Sequence, residues 1–336
     1  MSERGARIEE FLVRAGWAGV PRRKLAGDAS FRRYERLEAG TRRGVLMDAP
    51  PPQEDVRPFL AVARILQGLG LSAPAILAED IEAGLLLLED FGDHTYTRLL
   101  AEGGDEGALY ALAVDTLVEL QRRFEPRLGA ELPPYDEARL LTEASLLVDW
   151  HLPAVTGRET APDLRGDYLA AWRAVLPLAS ALPPTLVLRD YHVDNLMLLE
   201  GRAGVAACGL LDFQDAVLGS PAYDLASLLT DARRDVPLEL AEAMTRRYLA
   251  AFSRGDREAF ATAATVLAVQ RNCKIVGIFT RLCVRDRKPQ YLQHIPRVWR
   301  LIERDLGHPA LAPVRRWFER RMSRELWRIP ACEAAP

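Results

Sequence analysis

The pattern of hydrophobic and polar residues divides the chain into a strand-bearing N-terminal part and a mainly helical remainder. Apolar residues recur at helical spacing over residues 3–15 and 56–69, which predicts two amphipathic helices. Between them, residues 44–48 form a short apolar run that ends at three consecutive prolines, which cannot donate to a strand ladder. This run predicts a strand. The apolar runs at 75–80 and 84–88 are separated by a turn and predict a hairpin.

After residue 92 helical spacing dominates, and one group of short strands interrupts it. The clearest helical segments are 106–124, 135–150 and 163–176. The interrupting apolar runs, with polar residues at their ends, are 186–190, 196–199 and 209–213. We therefore expect an α+β fold of two lobes. Its parts are a small N-lobe with an antiparallel sheet plus a helix (1–88), a hinge (89–92) and a larger, mainly helical C-lobe (93–336).

Composition narrows the function classes. The 336 residues are 49% hydrophobic and 27% charged, as in an ordinary globular protein, and the net charge is −3. Nucleic-acid binders usually carry a positive excess, so we expect no nucleic-acid partner. No run approaches ~20 apolar residues and the N-terminus lacks an apolar signal core, so we expect no membrane partner and a cytoplasmic location. The four cysteines lack metal-ligand spacing.

Two carboxylates and one amide lie where short strands give way to loops. Asp190 ends one apolar run, Asn195 follows it by five positions, and Asp212 ends the run that begins at Gly209. Phosphoryl transfer from ATP needs such a set. One carboxylate orients the attacking hydroxyl and accepts its proton, while an amide oxygen and a second carboxylate hold Mg²⁺ against the phosphates. The order of these residues favours an ATP- and Mg²⁺-dependent kinase over two unrelated acidic loops.

At three motifs the chain resembles the aminoglycoside phosphotransferase family. The motifs are Leu188-Arg-Asp-Tyr-His-Val-Asp-Asn-Leu196, Leu211-Asp-Phe-Gln-Asp215 and Pro221-Ala-Tyr-Asp-Leu-Ala-Ser227. The resemblance implies a protein-kinase-like fold, with Asp190 as the catalytic base and Asn195 and Asp212 as Mg²⁺ ligands. It also implies a group of residues that supports the catalytic loop: Arg189, His192 and Asp224. For His192 we expect a structural hydrogen bond, because Asp190 already holds the position of the base.

The run from Leu85 to Gly92 resembles the hinge of this family. Adenine needs one backbone acceptor and one backbone donor in an apolar slot, and by position these would be the Glu89 carbonyl and the Phe91 amide. Taken without the resemblance, the same run is better interpreted as an ordinary strand and turn.

The chain departs from the kinase pattern at the phosphate clamp. Kinases place a lysine on the third N-lobe strand, but no lysine occurs between Lys24 and Lys274. We expect Arg32 or Arg33 to replace it, since guanidinium binds phosphate well. Two alternatives stay open: the backbone amides of Gly27–Ser30 bind the phosphates, or the fold is catalytically inactive.

The residues of several motifs resemble those of a narrower group, the bacterial anomeric kinases of N-acetylmuramate and N-acetylglucosamine in peptidoglycan recycling. These motifs include Gly27–Tyr34, Met47–Pro51, Asp190–Asn195 and Gln270–Gly277, and the resemblance spans about residues 5–325. It implies an amino-sugar substrate phosphorylated at its C1 hydroxyl. Rival acceptors on the same fold are aminoglycosides, choline and homoserine. A rival of another class is a nucleotide-sensing pseudokinase.

Substrate contacts are predicted on two helical regions. Arg271, Lys274 and Arg281 lie on one broad face of the helix around 265–282, where they either hold the lactyl carboxylate of muramate or form a solvated basic stripe. Acidic residues between 136 and 149 would suit a polycationic aminoglycoside. The remaining candidates for sugar contacts are Asp136, Asp149 and Trp150, and for Trp150 a place in the core is the competing interpretation.

Overall fold

A computed structural model describes residues 2–25, 31–252 and 257–331. The described chain folds into two compact units, each assembled from two stretches of sequence. Unit 1 takes its residues from Met1–Arg123 and Val193–Ala216, and unit 2 from Phe124–His192 and Val217–Pro336.

The strands follow the chain in this order: β1 (Arg22–Lys24), β2 (Arg33–Ala39), β3 (Arg42–Asp48), β4 (Ile76–Asp80), β5 (Leu85–Leu88), β6 (Thr185–Val187), β7 (Leu196–Leu198), β8 (Cys208–Leu210) and β9 (Val217–Gly219). The α-helices are α1 (Glu3–Arg14), α2 (Arg57–Gly68), α3 (Tyr96–Ala101), α4 (Glu106–Arg123), α5 (Glu137–Leu146), α6 (Leu152–Thr156), α7 (Pro162–Arg173), α8 (Leu176–Ala179), α9 (Ala222–Leu229), α10 (Leu238–Ala250), α11 (Arg257–Val284), α12 (Ile295–Asp305) and α13 (Ala312–Arg321).

Unit 1 is built on a five-stranded antiparallel sheet with the order β1-β2-β3-β5-β4. Helix α1 begins at Ser2, whose side chain accepts from the Gly5 amide, and it buries Ile8, Phe11 and Leu12 in a cluster with apolar residues of the sheet. Burial of side chains of this size contributes roughly 1.5–3 kcal/mol each. The predicted N-terminal helix, strand and hairpin are confirmed. Strand β1 was not expected, because its three exposed basic residues show no apolar alternation.

A second, smaller hairpin completes the strands of unit 1. Strands β7 and β8 pair antiparallel, with Leu196 opposite Leu210 and Leu198 opposite Cys208. An isolated bridge joins Ser72 to Gly209, and a further one joins Thr95 to Met197. These contacts attach the small hairpin to the segments that flank the main sheet.

Unit 2 is mainly helical and is organised around α11. This helix is buried along most of its length and packs against α5, α9 and α12. It passes so close to the end of α5 that a Cβ added at Gly277 would lie 2.3 Å from the carbonyl carbon of Leu146. Only glycine fits there. None of the helices in the described ranges is long and apolar enough to cross a membrane.

The helix predicted over residues 135–150 is interrupted in the structure. The α-helical part ends at Leu146, residues 147–151 form a π-helical turn, and α-helix resumes at Leu152. The start also differs, because the side chain of Asp136 accepts from the Arg139 amide and caps the first turn. Such π turns are often found at functional sites.

Candidate functional site

Asn195 and Asp212 lie side by side at the open end of the β7–β8 hairpin in unit 1. The pairing of Leu196 with Leu210 brings the flanking residues together, and the Leu211 amide donates to the Asn195 carbonyl at 3.0 Å. The Asn195 Nδ2 lies 3.5 Å from the Asp212 Oδ2. Amide and carboxylate oxygens suit Mg²⁺, and a 180° rotation of the Asn195 amide presents its oxygen instead of its nitrogen.

The Asp212 carboxylate is held in a defined orientation. Its backbone has φ 57°, in the left-handed region that residues with a Cβ rarely adopt. Its Oδ1 accepts from the Gln214 Nε2 at 2.8 Å, and the Arg32 Nη2 lies 3.6 Å from the same oxygen. The hairpin therefore combines two oxygen-bearing side chains, a neutral donor and one cation.

The two predicted phosphate-binding arginines differ in their surroundings. The side chain of Arg32 is only 9% exposed, and its Nε lies 3.8 Å from the Glu54 Oε2. Arg33 is exposed and begins β2 opposite Asp48. The structure thus brings Arg32 to Asp212 at the end of the β7–β8 hairpin, and no such contact is found for Arg33 among the described residues. Ser30 lies outside the described residues.

The predicted hinge is anchored to the small hairpin by Arg202. The guanidinium of Arg202 donates to the Glu89 carboxylate and to the Ser72 hydroxyl, the latter at 2.8 Å, and its Cζ lies 5.4 Å from the centroid of the Phe91 ring. Among the described residues, no backbone hydrogen bond uses the Glu89 carbonyl or the Phe91 amide. The segment therefore presents one acceptor and one donor, as adenine requires.

Arg36 holds the other side of this segment. The residue is 5% exposed, and its guanidinium donates to Asp90 at 2.9 Å, Asp93 at 2.7 Å and the Gly92 carbonyl at 2.8 Å. Neither of these two arginines, Arg36 and Arg202, was predicted from the sequence. Their type and position resemble those of ordinary surface arginines, and their partners are more than fifty positions away.

In unit 2 the carboxylate of Asp224 fixes the backbone just before Asp190. Its two oxygens accept from the Leu188 amide at 2.7 Å and the Arg189 amide at 2.9 Å. Arg189 has φ 69°, so the loop bends through a left-handed residue at this point. This is the bracing contact expected for Asp224. Burial raises the pKa of Asp224 to about 7, against the effect of the two amides.

Asp190 lies among positively charged groups of unit 2. Burial alone would raise the pKa of this carboxyl, but Lys274, Arg271 and Arg189 together hold the pKa below its ordinary value. The side chain is therefore ionised at neutral pH, as a general base must be. His192 is buried, and burial lowers its pKa, which favours the neutral, structural form expected for it.

Glu143 is the centre of a buried charge network that the sequence did not reveal. Its carboxylate accepts from the Arg189 guanidinium and the Tyr135 hydroxyl, and the Lys274 Nζ lies 3.2 Å away. Burial opposes the charge of Glu143, but Lys274 and Arg189 hold its pKa below its ordinary value. Lys274 is thus neutralised within the protein.

The proposed solvated stripe on α11 is wrong for Arg271 and Lys274. These residues are only 4% and 8% exposed, because α11 is surrounded by other helices of unit 2. The Arg271 Nη1 is buried and has no hydrogen-bond partner in the described part of the chain. Arg271 therefore retains the capacity to bind an anionic group.

The remaining predicted sugar contacts have other partners. Asp136 caps α5, and Asp149 receives hydrogen bonds from Arg165 at 2.7 Å and Ser145 at 2.7 Å. Trp150 is partly buried within the π-helical turn. Two of the acids that would suit a polycation, Asp149 and Glu143, are therefore already paired with cations of the protein.

Comparison with known proteins finds relatives whose sequences match most of the chain. The sequence model of the phosphotransferase enzyme family, APH, matches residues 22–261. The chain is 38% identical to an N-acetylmuramate/N-acetylglucosamine kinase of Caulobacter vibrioides, over 95% of this chain and 97% of that protein. It is 41% identical to a protein of the same name from Pseudomonas aeruginosa, over 91% and 90% of the two chains.

Solved structures support the predicted fold class. The chain superposes on a choline/ethanolamine kinase family protein from Mesorhizobium loti with a TM-score of 0.61 and 14% identity, covering 93% of this chain and 99% of that one. It superposes on aminoglycoside 2'-phosphotransferase-IIIa, solved as a GDP complex, with a TM-score of 0.62 and 15% identity, covering 91% and 99%. The predicted kinase-like α+β fold, with an N-terminal antiparallel sheet and a helical C-terminal region, is confirmed.

Proposed function

Because the chain belongs to the phosphotransferase enzyme family, we propose that it is an ATP-dependent kinase that phosphorylates the anomeric C1 hydroxyl of N-acetylmuramate, N-acetylglucosamine or both. The observation that carries this proposal is the extent of its similarity to kinases of that name, which covers more than nine-tenths of the chain at 38% and 41% identity. The reaction would belong to peptidoglycan recycling in the cytoplasm, where ATP is available.

In this proposal Asp190 is the catalytic base. Its lowered pKa keeps it ionised, so it can orient the C1 hydroxyl and accept its proton as the oxygen attacks the γ-phosphorus. The bond between the γ-phosphorus and the bridging oxygen breaks, and ADP leaves. An anomeric hydroxyl is more acidic than an ordinary alcohol, so one carboxylate is a sufficient base.

Asn195 and Asp212 would hold Mg²⁺ through their side-chain oxygens. When bound, the ion neutralises charge on the phosphates during transfer. The Asp212 backbone and the Gln214 hydrogen bond orient the carboxylate in advance. Arg32 would supply the phosphate clamp in place of the absent lysine, since its guanidinium lies 3.6 Å from the Asp212 carboxylate.

The predicted hinge, residues 89–92, would bind adenine through the Glu89 carbonyl and the Phe91 amide. Both groups are left unbonded by the described residues, while Arg202 and Arg36 fix the side chains around them. Residues 1–88 and 93–336 remain the proposed N-lobe and C-lobe.

Arg271 is the proposed contact for the lactyl carboxylate of N-acetylmuramate. Lys274, the other predicted contact, is committed to Glu143, whereas a buried nitrogen of Arg271 lacks an acceptor. The neutralised acids of unit 2 favour an anionic or neutral sugar over an aminoglycoside.

One screen tests the acceptor. ADP release would be followed with N-acetylmuramate, N-acetylglucosamine, kanamycin-type aminoglycosides, choline and homoserine, and any product examined by ³¹P NMR. We expect turnover with the amino sugars and a phosphate on C1. Turnover with choline, homoserine or an aminoglycoside, and none with either amino sugar, would refute the proposal.

A further inference from the structure

Glu54 links the Arg32 guanidinium to the backbone of unit 1. Its Oε1 accepts from the Phe31 amide at 3.0 Å, while its Oε2 lies 3.8 Å from the Arg32 Nε. Glu54 is itself fixed, because its amide donates to the Pro50 carbonyl at 3.2 Å and its side chain is only 19% exposed. One carboxylate thus orients both the backbone and the side chain of the predicted clamp.

The guanidinium of Arg32 lies between two carboxylates of unit 1. It is 3.8 Å from Glu54 and 3.6 Å from Asp212, so the two ion pairs are of similar length. Removal of the charge of Glu54 would take away one of these two attractions and shift the arginine toward the carboxylate that we assign to the metal. A glutamate that orients the phosphate-binding cation also occurs in kinases that keep the lysine.

We propose that Glu54 is a positioning residue of the nucleotide site: its charge holds Arg32 toward the ATP phosphates and prevents it from neutralising Asp212. This inference rests on the proposed function and on Arg32 as the clamp. Glu54 acts through Arg32 and does not touch the substrate, so its loss should weaken binding of the phosphates and leave binding of the sugar intact.

Glu54→Gln is the most informative variant. It keeps an oxygen for the Phe31 amide and removes only the charge that faces Arg32. We expect the KM for MgATP to rise about tenfold, with the KM for the amino sugar changed less than twofold. The matched control is Glu82→Gln, which removes an exposed glutamate 3.1 Å from Arg57 in the same unit and should leave both constants unchanged.

Direct binding separates positioning from a general structural defect. By calorimetry, Glu54→Gln should weaken MgATP binding about tenfold and leave adenosine binding unchanged, because adenosine lacks phosphates. Equal losses for both ligands, or retained affinity for MgATP, would overturn the inference. The calorimetric comparison requires no turnover, so it holds for a slow variant as well.

A double-mutant cycle tests whether Glu54 acts through Arg32. In an Arg32→Ala background, Glu54→Gln should add less than a twofold change in the KM for MgATP. A fully additive effect would contradict the proposal. If Arg32→Ala weakens MgATP binding and Glu54→Gln does not, Glu54 alone is wrongly assigned. If Arg32→Ala has no effect on MgATP binding, Arg32 is not the phosphate clamp and the role proposed for Glu54 is wrong as well. The identity of the acceptor is tested separately, by the screen of alcohols.

Discussion

Asp212 of unit 1 and Asp190 of unit 2 both follow a short apolar strand, yet the structure surrounds them with different groups. Near Asp212 lie the amides of Gln214 and Asn195 and the guanidinium of Arg32, the last at 3.6 Å. Near Asp190 several positive groups act together and lower its pKa against the effect of burial. Their local sequence shows two aspartates at strand ends, and only the family resemblance implied different roles for them.

This difference in surroundings supports the separate chemical roles that we propose for the two carboxylates. Neutral donors orient Asp212 without cancelling its charge, which leaves the charge available to a divalent cation. Cations around Asp190 stabilise its ionised form, which suits a group that must accept a proton at neutral pH. Substitutions at the two positions should therefore fail in different ways.

The largest effect is expected for Asp190→Asn. The amide keeps the shape of the side chain but cannot accept the proton, so kcat should fall about 10⁴-fold, near the upper range for loss of a general base. Binding of MgATP should stay within about threefold of the wild type, as measured by calorimetry. A variant that retained full turnover would remove Asp190 from the role of base.

Asp212→Ala should lower kcat/KM for MgATP by about 10³-fold, since the metal ion contributes several kcal/mol to the transition state. Unlike Asp190→Asn, it should also weaken MgATP binding and raise the Mg²⁺ concentration needed for half-maximal rate. A magnesium titration at fixed ATP measures this. An unchanged magnesium requirement would contradict the assignment of Asp212 to the metal site and of a different role to Asp190.

Acid should destabilise the protein through His151, which is fully buried in unit 2. Its Nε2 lies 3.2 Å from the Leu326 carbonyl and its Nδ1 3.1 Å from the Thr280 hydroxyl, and burial lowers its pKa to about 4. The unfolded chain binds a proton near pH 6.5 and the folded one near pH 4, so stability falls as the pH drops through that window. The contribution is about 3 kcal/mol.

Denaturant unfolding at pH 7 and pH 4.5 measures this effect. In His151→Gln the difference between the two pH values should shrink by about 2 kcal/mol or more, even if the variant is less stable at both. The same pH dependence in wild type and variant would show that other groups dominate acid unfolding.

The smallest effect concerns substrate choice. Arg271→Ala should lower kcat/KM for N-acetylmuramate about 30-fold relative to N-acetylglucosamine, as expected for one charge-assisted hydrogen bond. Arg281→Ala, on the same helix, serves as the control and should leave the ratio unchanged. Equal losses for the two sugars would show that Arg271 supports Asp190 or the fold and does not recognise the carboxylate.

The sequence predicted what is encoded locally. Asn195 and Asp212 flank two apolar strands that are close in sequence, so an antiparallel hairpin brings them together by its register alone. The bracing role of Asp224 was instead implied by the family resemblance, through the motif in which this residue lies. Lys274 was expected to bind substrate, but the structure pairs it with Glu143, more than a hundred positions away.

Contacts between residues far apart in the sequence cannot be predicted from the hydrophobic periodicity of the chain. Glu143 occupies one position of an ordinary helix pattern, and Glu54 follows a run of prolines, so neither stands out among 47 acidic residues. The π-helical turn after Leu146 was equally hidden, and it begins where α11 passes close to α5 at Gly277. Tertiary contacts decided these features, and they lie beyond the reach of local propensity.

The link made by Arg202 has a consequence for the evolution of nucleotide preference. The guanidinium of Arg202, which lies between β7 and β8, binds Glu89 in the segment proposed to bind the purine base and also binds Ser72. In the proposed arrangement, the groups that bind the base and the groups that bind the triphosphate both belong to unit 1. Loss of Arg202 should reduce the selectivity between purine nucleotides and raise the Mg²⁺ requirement at the same time. A substitution in the proposed adenine segment alone, or in the proposed metal site alone, should change only one of these two properties.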